Sequence, residues 1–209
     1  MVKITPFVLS PLGSNCYVLQ GDENSSEAVI VDPGDTDVHA LLSFVTRHNL
    51  NVREIWLTHG HFDHILGVDV VRQALEIPAY LHRADLPLWE QVQQSAQTWL
   101  GRPVNALQLP NGYWEDGTTV SVGNCHFTVW HTPGHSPGSV CLVGEEAAFT
   151  GDTLFAGTIG RTDLPLSNPR AMRESLQRLL TLPDDLQIYP GHWPKSTVIE
   201  EKQGNPYFH

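Results

Sequence analysis

The segment His59-Gly60-His61-Phe62-Asp63-His64 places three imidazoles and a carboxylate within six residues. Such groups crowd together at mutual cost unless a cation holds them, and neutral imidazole with carboxylate suits zinc, iron or manganese. The segment follows Glu54-Ile55-Trp56-Leu57-Thr58, which reads as a short buried strand with a polar end. His59 and His61 are two apart on extended chain, so their side chains point the same way. Asp63 and His64 precede apolar residues that take up helical spacing towards Leu75. Asp63 is therefore expected near a helix N-terminus, where negative charge is favoured. A strand end supplying one metal and a helix start supplying a second is one division of these ligands, which the spacing alone leaves open.

Three later segments repeat the pattern of strand, tight turn and metal-type side chain. His131-Thr132-Pro133-Gly134-His135 presents His135 from a turn stiffened by Pro and Gly, with His131 in a supporting role. Thr150-Gly151-Asp152-Thr153 ends a strand at 147–149 with a carboxylate that can bridge two cations. Tyr189-Pro190-Gly191-His192 ends another. The candidate ligands are His59, His61, Asp63, His64, His135, Asp152 and His192. Two cations with three private ligands each and one shared carboxylate would use them all, leaving room for a reactive water.

The remaining chain reads as strands at 4–10, 16–20 and 28–31, then a helix through Val38, Leu41, Leu42 and Val45 capped by Asp35 or Thr36. A helix is expected over 84–97 with Pro87 in its first turn and with Trp89 and Trp99 as exposed packing aromatics. Residues 101–112 read as a Pro/Gly-rich connection and 152–169 as a long polar loop, with strands at 118–122, 126–130, 139–143 and 187–189 and helices at 170–180 and 197–202. Strand meanders flanked by helices imply an α+β chain, two sheets packed together with helices outside, in a single domain spanning 1–209.

Composition narrows the partners. A formal net charge of −11, with 12 dispersed basic residues, disfavours nucleic acid. No apolar run is long enough to span a membrane, and the N-terminal residues do not read as a secretory signal. Three scattered cysteines, Cys16, Cys125 and Cys141, fit a reducing, cytoplasmic setting better than a disulfide framework. Oligomeric state is not encoded in any recognisable way.

Taken together, THGHFDH at 58–64, HTPGHSPGS at 131–139, TGDTLF at 150–155 and YPGH at 189–192 resemble the metallo-β-lactamase fold superfamily. Gly160-Arg161-Thr162-Asp163-Leu164-Pro165 and the tail 200–208 make the chain similar to its short glyoxalase II-type hydrolases. The resemblance implies an αββα four-layer sandwich with metals at one edge of the two sheets. It implies that His59, His61 and His135 bind one divalent cation, that Asp63, His64 and His192 bind another, and that Asp152 bridges them. Zinc is the first expectation, with iron or manganese as alternatives. Glyoxalase II hydrolyses S-D-lactoylglutathione, so the expected substrate is that compound or a related small acyl-thiol. Attack would come from a water activated between the cations, with Asp63 and Asp152 orienting it. Arg161 and Asp163 are expected to pair and fix the Asp152 loop.

Full-length enzymes of that type carry a C-terminal helical domain that supplies basic residues to glutathione. The 17 residues after His192 offer only Lys195 and Lys202 for that purpose, so no such domain is expected. Trp193 follows the last ligand where relatives often have a small residue, and it is expected to narrow the pocket mouth. Two rivals sit on the same scaffold. A persulfide dioxygenase with one iron would use His59, His135 and Asp152. A β-lactamase is disfavoured because such enzymes usually lack the bridging Asp.

Overall fold

The computed structural model describes residues 1–22 and 24–208. Strands β1 (Lys3–Leu9), β2 (Ser14–Gln20) and β3 (Glu27–Val31) form an antiparallel meander. Helix α1 (His39–Arg47) then crosses to β4 (Asn51–Trp56), and α2 (Phe62–Ile65) and α3 (Val68–Leu75) cross to β5 (Ala79–His82). Helices α4 (Leu86–Glu90) and α5 (Val92–Leu100) lead to β6 (Gly112–Trp114). Because each of these crossovers passes over one face through helices, β3 to β6 pair in parallel and complete a six-stranded sheet.

The second sheet begins with β7 (Thr119–Val122), β8 (Cys125–His131), β9 (Val140–Gly144) and β10 (Ala147–Gly151). A small hairpin follows, β11 (Leu154–Phe155) with β12 (Thr158–Ile159), and then α6 (Pro169–Leu179). Strands β13 (Gln187–Pro190) and β14 (Ser196–Thr197) and helix α7 (Val198–Gly204) close the chain. The strand order is β14-β13-β10-β9-β8-β7, with β10 and β13 parallel.

The period-two alternation of the strands sorts their side chains into different cores. Cys16, Val18, Ala28, Ile30 and Ile55 face one way, under the first set of helices. Tyr17, Leu19, Val29, Val31 and Trp56 face the other, where they meet Phe127, Val129, Leu142 and Phe149 of the second sheet. On that sheet's far face Cys141, Ala148 and Ile188 pack on Leu176 and Leu179 of α6. Three cores between four layers make this the αββα sandwich. Burying each of the larger apolar side chains stabilises it by about 1.5–3 kcal/mol.

Some local expectations are corrected. The helix expected over 84–97 is two, α4 and α5, joined at Gln91. Trp89 is not an exposed aromatic: it is 1% exposed because α4 lays it against the first core. Neither Asp35 nor Thr36 caps α1, whose N-cap is Val38 without a side-chain cap bond. Asp35 is instead drawn to Arg102, 2.7 Å away. Strand β6 extends beyond the expected connection, where β5 offers it an open edge, and the expected polar loop contains the β11–β12 hairpin.

Candidate metal centre

Asp32 follows β3, His59 and His61 follow β4, His135 lies between β8 and β9, Asp152 follows β10, and His192 follows β13. The strand ends of both sheets meet here because backbone ties cross between them. Val140 N–H donates to the Thr58 carbonyl at 2.8 Å, and Asn15 N–H donates to the Gly191 carbonyl at 2.7 Å. Asn15 Nδ2 also donates to Pro190 and Trp193 carbonyls at 3.0 and 2.8 Å, and Tyr17 Oη to Pro190 at 2.6 Å. Strand β2 thus clamps the turn that carries His192. His61 is the N-cap of α2, and Asp63 and His64 lie within that helix, Asp63 in its first turn as the sequence suggested.

Two glycines let the groups approach. Gly151 has φ +48°, and a Cβ there would strike Thr58 Oγ1 at 2.5 Å. A Cβ on Gly191 would overlap the Asp152 carboxylate and lie 2.8 Å from His64 Cε1.

All seven expected ligands converge. His59, His61 and His135 each offer a nitrogen within 4.8 Å of the others, and Asp63, His64 and His192 do the same. His61 Nδ1 is 2.8 Å from His135 Nε2, and His64 Nε2 is 3.3 Å from His192 Nε2. Asp63 Oδ2 lies 3.2 Å from His192 Nε2. Asp152 stands between the two sets. Its Oδ2 is 3.4 Å from His135 Nε2 and 3.7 Å from His192 Nε2, and its Oδ1 is 3.5 Å from His64 Nε2. A third close group, Asp32 with His59 and His64, also forms. Both Asp32 oxygens are already engaged, by Thr58 N–H at 2.8 Å, Thr58 Oγ1 at 2.5 Å and His64 Nδ1 at 3.1 Å, so Asp32 orients rather than binds.

The donor set fits metal. Among the described residues, His59 Nε2 and Asp152 Oδ1 are buried with no hydrogen-bond partner, an arrangement native proteins avoid unless something absent from the polypeptide fills the gap. The outer nitrogens are satisfied by protein: His59 Nδ1 by Thr58 Oγ1 at 3.1 Å, and His135 Nδ1 by the Arg161 carbonyl at 2.9 Å. That is the arrangement that fixes a ligand tautomer and bares its inner lone pair.

Protonation follows the same logic. Burial, then the neighbouring imidazoles, hold His59 well below the usual histidine range. Burial and His135 bring His61 to about 3, and burial above all brings His135 to about 4, so these rings are neutral donors. His64 differs. Burial opposes its charge, but Asp152, Asp63 and Asp32 outweigh it and raise it to about 10. Burial also works against the Asp63 carboxylate, yet His64 and His192 hold it below the ordinary range. Burial raises Asp152. The polypeptide by itself thus keeps one proton among these carboxylates, where a cation would supply the same charge.

The profile of the metallo-beta-lactamase superfamily matches residues 9–192. The chain belongs to this superfamily. It is 33% identical over 211 residues to hydroxyacylglutathione hydrolase GloC of Haemophilus influenzae, covering 99% of this chain and 97% of that one. Its fold superposes on BLEG-1 B3 metallo-beta-lactamase with TM-score 0.90 at 37% identity, covering 100% of this chain and 99% of that one. TTHA1623 in a di-iron-bound form gives TM-score 0.87 at 40% identity, over 97% of this chain and 99% of that one.

This superfamily site has supports that the motifs did not reveal. Asp32 is 2% exposed and holds φ +50°, a conformation that non-glycine residues rarely adopt. Asp85 is fully buried and accepts from Gly60 N–H at 2.8 Å, Ser136 Oγ at 2.7 Å and Gly138 N–H at 2.5 Å. It therefore joins the His59–His61 segment to the His135 turn. Burial raises its pKa, against these hydrogen bonds.

The Arg161–Asp163 pair forms, Nε to Oδ1 at 2.9 Å and Nη2 to Oδ2 at 3.0 Å. It is exposed, however, and its side chains do not hold the Asp152 loop. What reaches the centre is the Arg161 backbone carbonyl, because the chain at Gly160 runs against Asp152 and His135. His131 is structural, its Nε2 2.8 Å from the Pro137 carbonyl and its ring stacked on His82 at 4.1 Å.

A cleft of about 450 Å³ opens over His61, Asp63, His135, Asp152 and His192. Trp193 stands at it, 60% exposed, with Phe155 edge-on at 4.9 Å.

Proposed function

We propose that the chain is a binuclear metal-dependent thioester hydrolase, with S-D-lactoylglutathione or a related small acyl-thiol as substrate. The observation that carries this reading is the pair of three-ligand sets with Asp152 between them. His59, His61 and His135 would hold one cation, Asp63, His64 and His192 the other, and Asp152 would face both. The name of the Haemophilus influenzae relative, at 33% identity over nearly the whole chain, supports the thioester chemistry. The di-iron-bound relative supports a reading with two metals, for which iron is a candidate beside zinc and manganese.

When bound, such cations polarise a carbonyl and bring the pKa of a water from ~15.7 to near neutrality. The polypeptide's own share is positional. Asp63, held ionised, orients the attacking water through its carboxylate. His59, His61 and His135 stay neutral and so keep their lone pairs directed inwards. Asp32 and Asp85 hold the surrounding backbone still. The water oxygen forms the new acyl C–O bond, the C–S bond breaks with its electron pair leaving on sulfur, and carboxylate, thiol and one proton result. The open cleft releases thiol and proton to solvent.

Cys16, Cys125 and Cys141 are unpaired, which supports a reducing, cytoplasmic setting. Among the described residues no helix is long and apolar enough to cross a membrane.

The test couples elemental analysis of freshly purified protein to assay with S-D-lactoylglutathione and a panel of thioesters. About two equivalents of metal and turnover of a thioester are expected. Metal-loaded protein inert towards every thioester would reject the reading. Oxygen uptake with glutathione persulfide would replace it with the mononuclear dioxygenase.

A further inference from the structure

We propose that the substrate presents an uncharged, apolar group beside its thioester, held by Trp99, Trp193, Phe155 and Leu88, and that the cleft is poorly suited to a multiply charged thiol such as glutathione. This rests on the thioester-hydrolase reading and, within it, selects the related acyl-thiols over S-D-lactoylglutathione.

The cleft that opens over the ligands is walled mostly by apolar side chains drawn from four distant stretches of chain. Leu12 precedes β2, Leu88 and Trp99 lie on α4 and α5, Phe155 is in the β11–β12 hairpin, and Trp193 follows β13. Three of them are left in water at the mouth: Leu12 is 44% exposed, Trp99 57% and Trp193 60%. Scattered apolar residues on a surface need no explanation, but a set gathered around one opening marks a surface that apolar matter covers. Their position above the metal-type cluster makes that matter the part of the substrate next to the reacting bond.

Trp193 adds an independent observation. Its backbone has φ +64°, a region that L side chains rarely adopt, and Asn15 Nδ2 holds its carbonyl at 2.8 Å. The fold therefore maintains a strained residue to stand a large indole at the opening. Such strain concentrates where a structure serves a ligand.

The charges around the cleft point the same way. Arg161 is its one Lys or Arg among the described residues, and two of its guanidinium nitrogens are already on Asp163 at 2.9 and 3.0 Å. The acidic lining is Asp63 and Asp152. Glutathione brings two carboxylates and an ammonium group that would need partners here, on a chain of formal net charge −11. An alkyl or aryl group needs only the walls.

The experiment compares octanoyl-N-acetylcysteamine with S-D-lactoylglutathione on metal-loaded protein. It also measures calorimetric binding of two thioethers that cannot be hydrolysed, S-octyl-N-acetylcysteamine and S-methylglutathione. We expect kcat/KM about tenfold or more higher for the octanoyl ester, and tighter binding of the octyl thioether by a similar factor. Trp99→Ala, at an exposed position, should reduce both preferences by about tenfold while its thermal unfolding stays that of the parent. Equal or greater efficiency and affinity with the glutathione compounds would overturn the proposal, as would preferences that Trp99→Ala leaves unmoved. Binding of the octyl thioether with no hydrolysis of either ester would instead reject the thioester reading and, with it, this assignment of the cleft's substrate.

Discussion

Replacing Asp32 by Asn removes one charge and keeps the side-chain shape, and Asn tolerates the φ of +50° found at this position. The hydrogen bonds then decide the outcome. Asp32 Oδ1 accepts from Thr58 N–H at 2.8 Å, while Oδ2 accepts from Thr58 Oγ1 at 2.5 Å and lies 3.1 Å from His64 Nδ1. An Asn has one oxygen for two accepting positions. With a cation in place of the second His64 proton and the Asn NH₂ facing His64, Nδ1 must accept, the remaining ring proton moves to Nε2, and Nε2 loses the lone pair it would offer beside Asp63, Asp152 and His192. If its NH₂ faces Thr58 N–H, two buried donors oppose each other, at a cost of about 1–3 kcal/mol. Either way the Asp63–His64–His192 set weakens. Loss of a carboxylate behind a ligating histidine typically lowers metal affinity or activity about 10–100-fold, or ~1.4–2.8 kcal/mol. The assay is metal titration against a competing chelator, with turnover followed in parallel. One of the two sites should lose affinity by that factor while the other changes less. Parental affinity at both sites would refute the tautomer argument.

Other perturbations test neighbouring steps. Asp152→Ala should cost more than the ~10–100-fold of an orienting residue, read as turnover beside metal content; unchanged turnover with two metals retained would reject the bridging role. Gly191→Ala should destabilise by about 1–3 kcal/mol, since its methyl would meet the Asp152 carboxylate and the His64 ring; denaturant unfolding and metal content report it. Chelation should lower the unfolding temperature, because a ligand that binds only the folded state at 100 times its Kd adds about 2.7 kcal/mol; identical thermal transitions before and after chelation would count against a bound metal. His82, depressed to about 4 by burial and by the His131 ring, gives a pH test away from the centre. The unfolded ring titrates near ~6.5 and so binds more protons than the folded one between the two values. Its contribution is thus complete above the unfolded value and is lost as pH falls through about 4. The half-buried ring limits it to about 1–2 kcal/mol. His82→Gln should flatten that acid limb of stability.

The ligands were legible in the chain because their geometry is local. His59 and His61 share a side through the period of extended chain, Asp63 and His64 sit where a helix begins, and His135 and His192 ride on Pro-Gly turns. The four layers were legible too, since strand meanders flanked by helices read as two packed sheets with helices outside. Asp32 and Asp85 were not, because a lone carboxylate carries no pattern. Asp32 became a support only when Thr58 arrived from 26 residues away, and Asp85 only when Gly138 arrived from 53. Arg161 misled for the same reason: the sequence advertises a side chain, while the contact at the centre is a carbonyl. Local covalent spacing determined which groups can bind metal. Tertiary packing alone decided what holds them, how Asp152 lies between them, and which of the distant apolar residues wall the cleft, since such contacts depend on distances that no stretch of sequence contains.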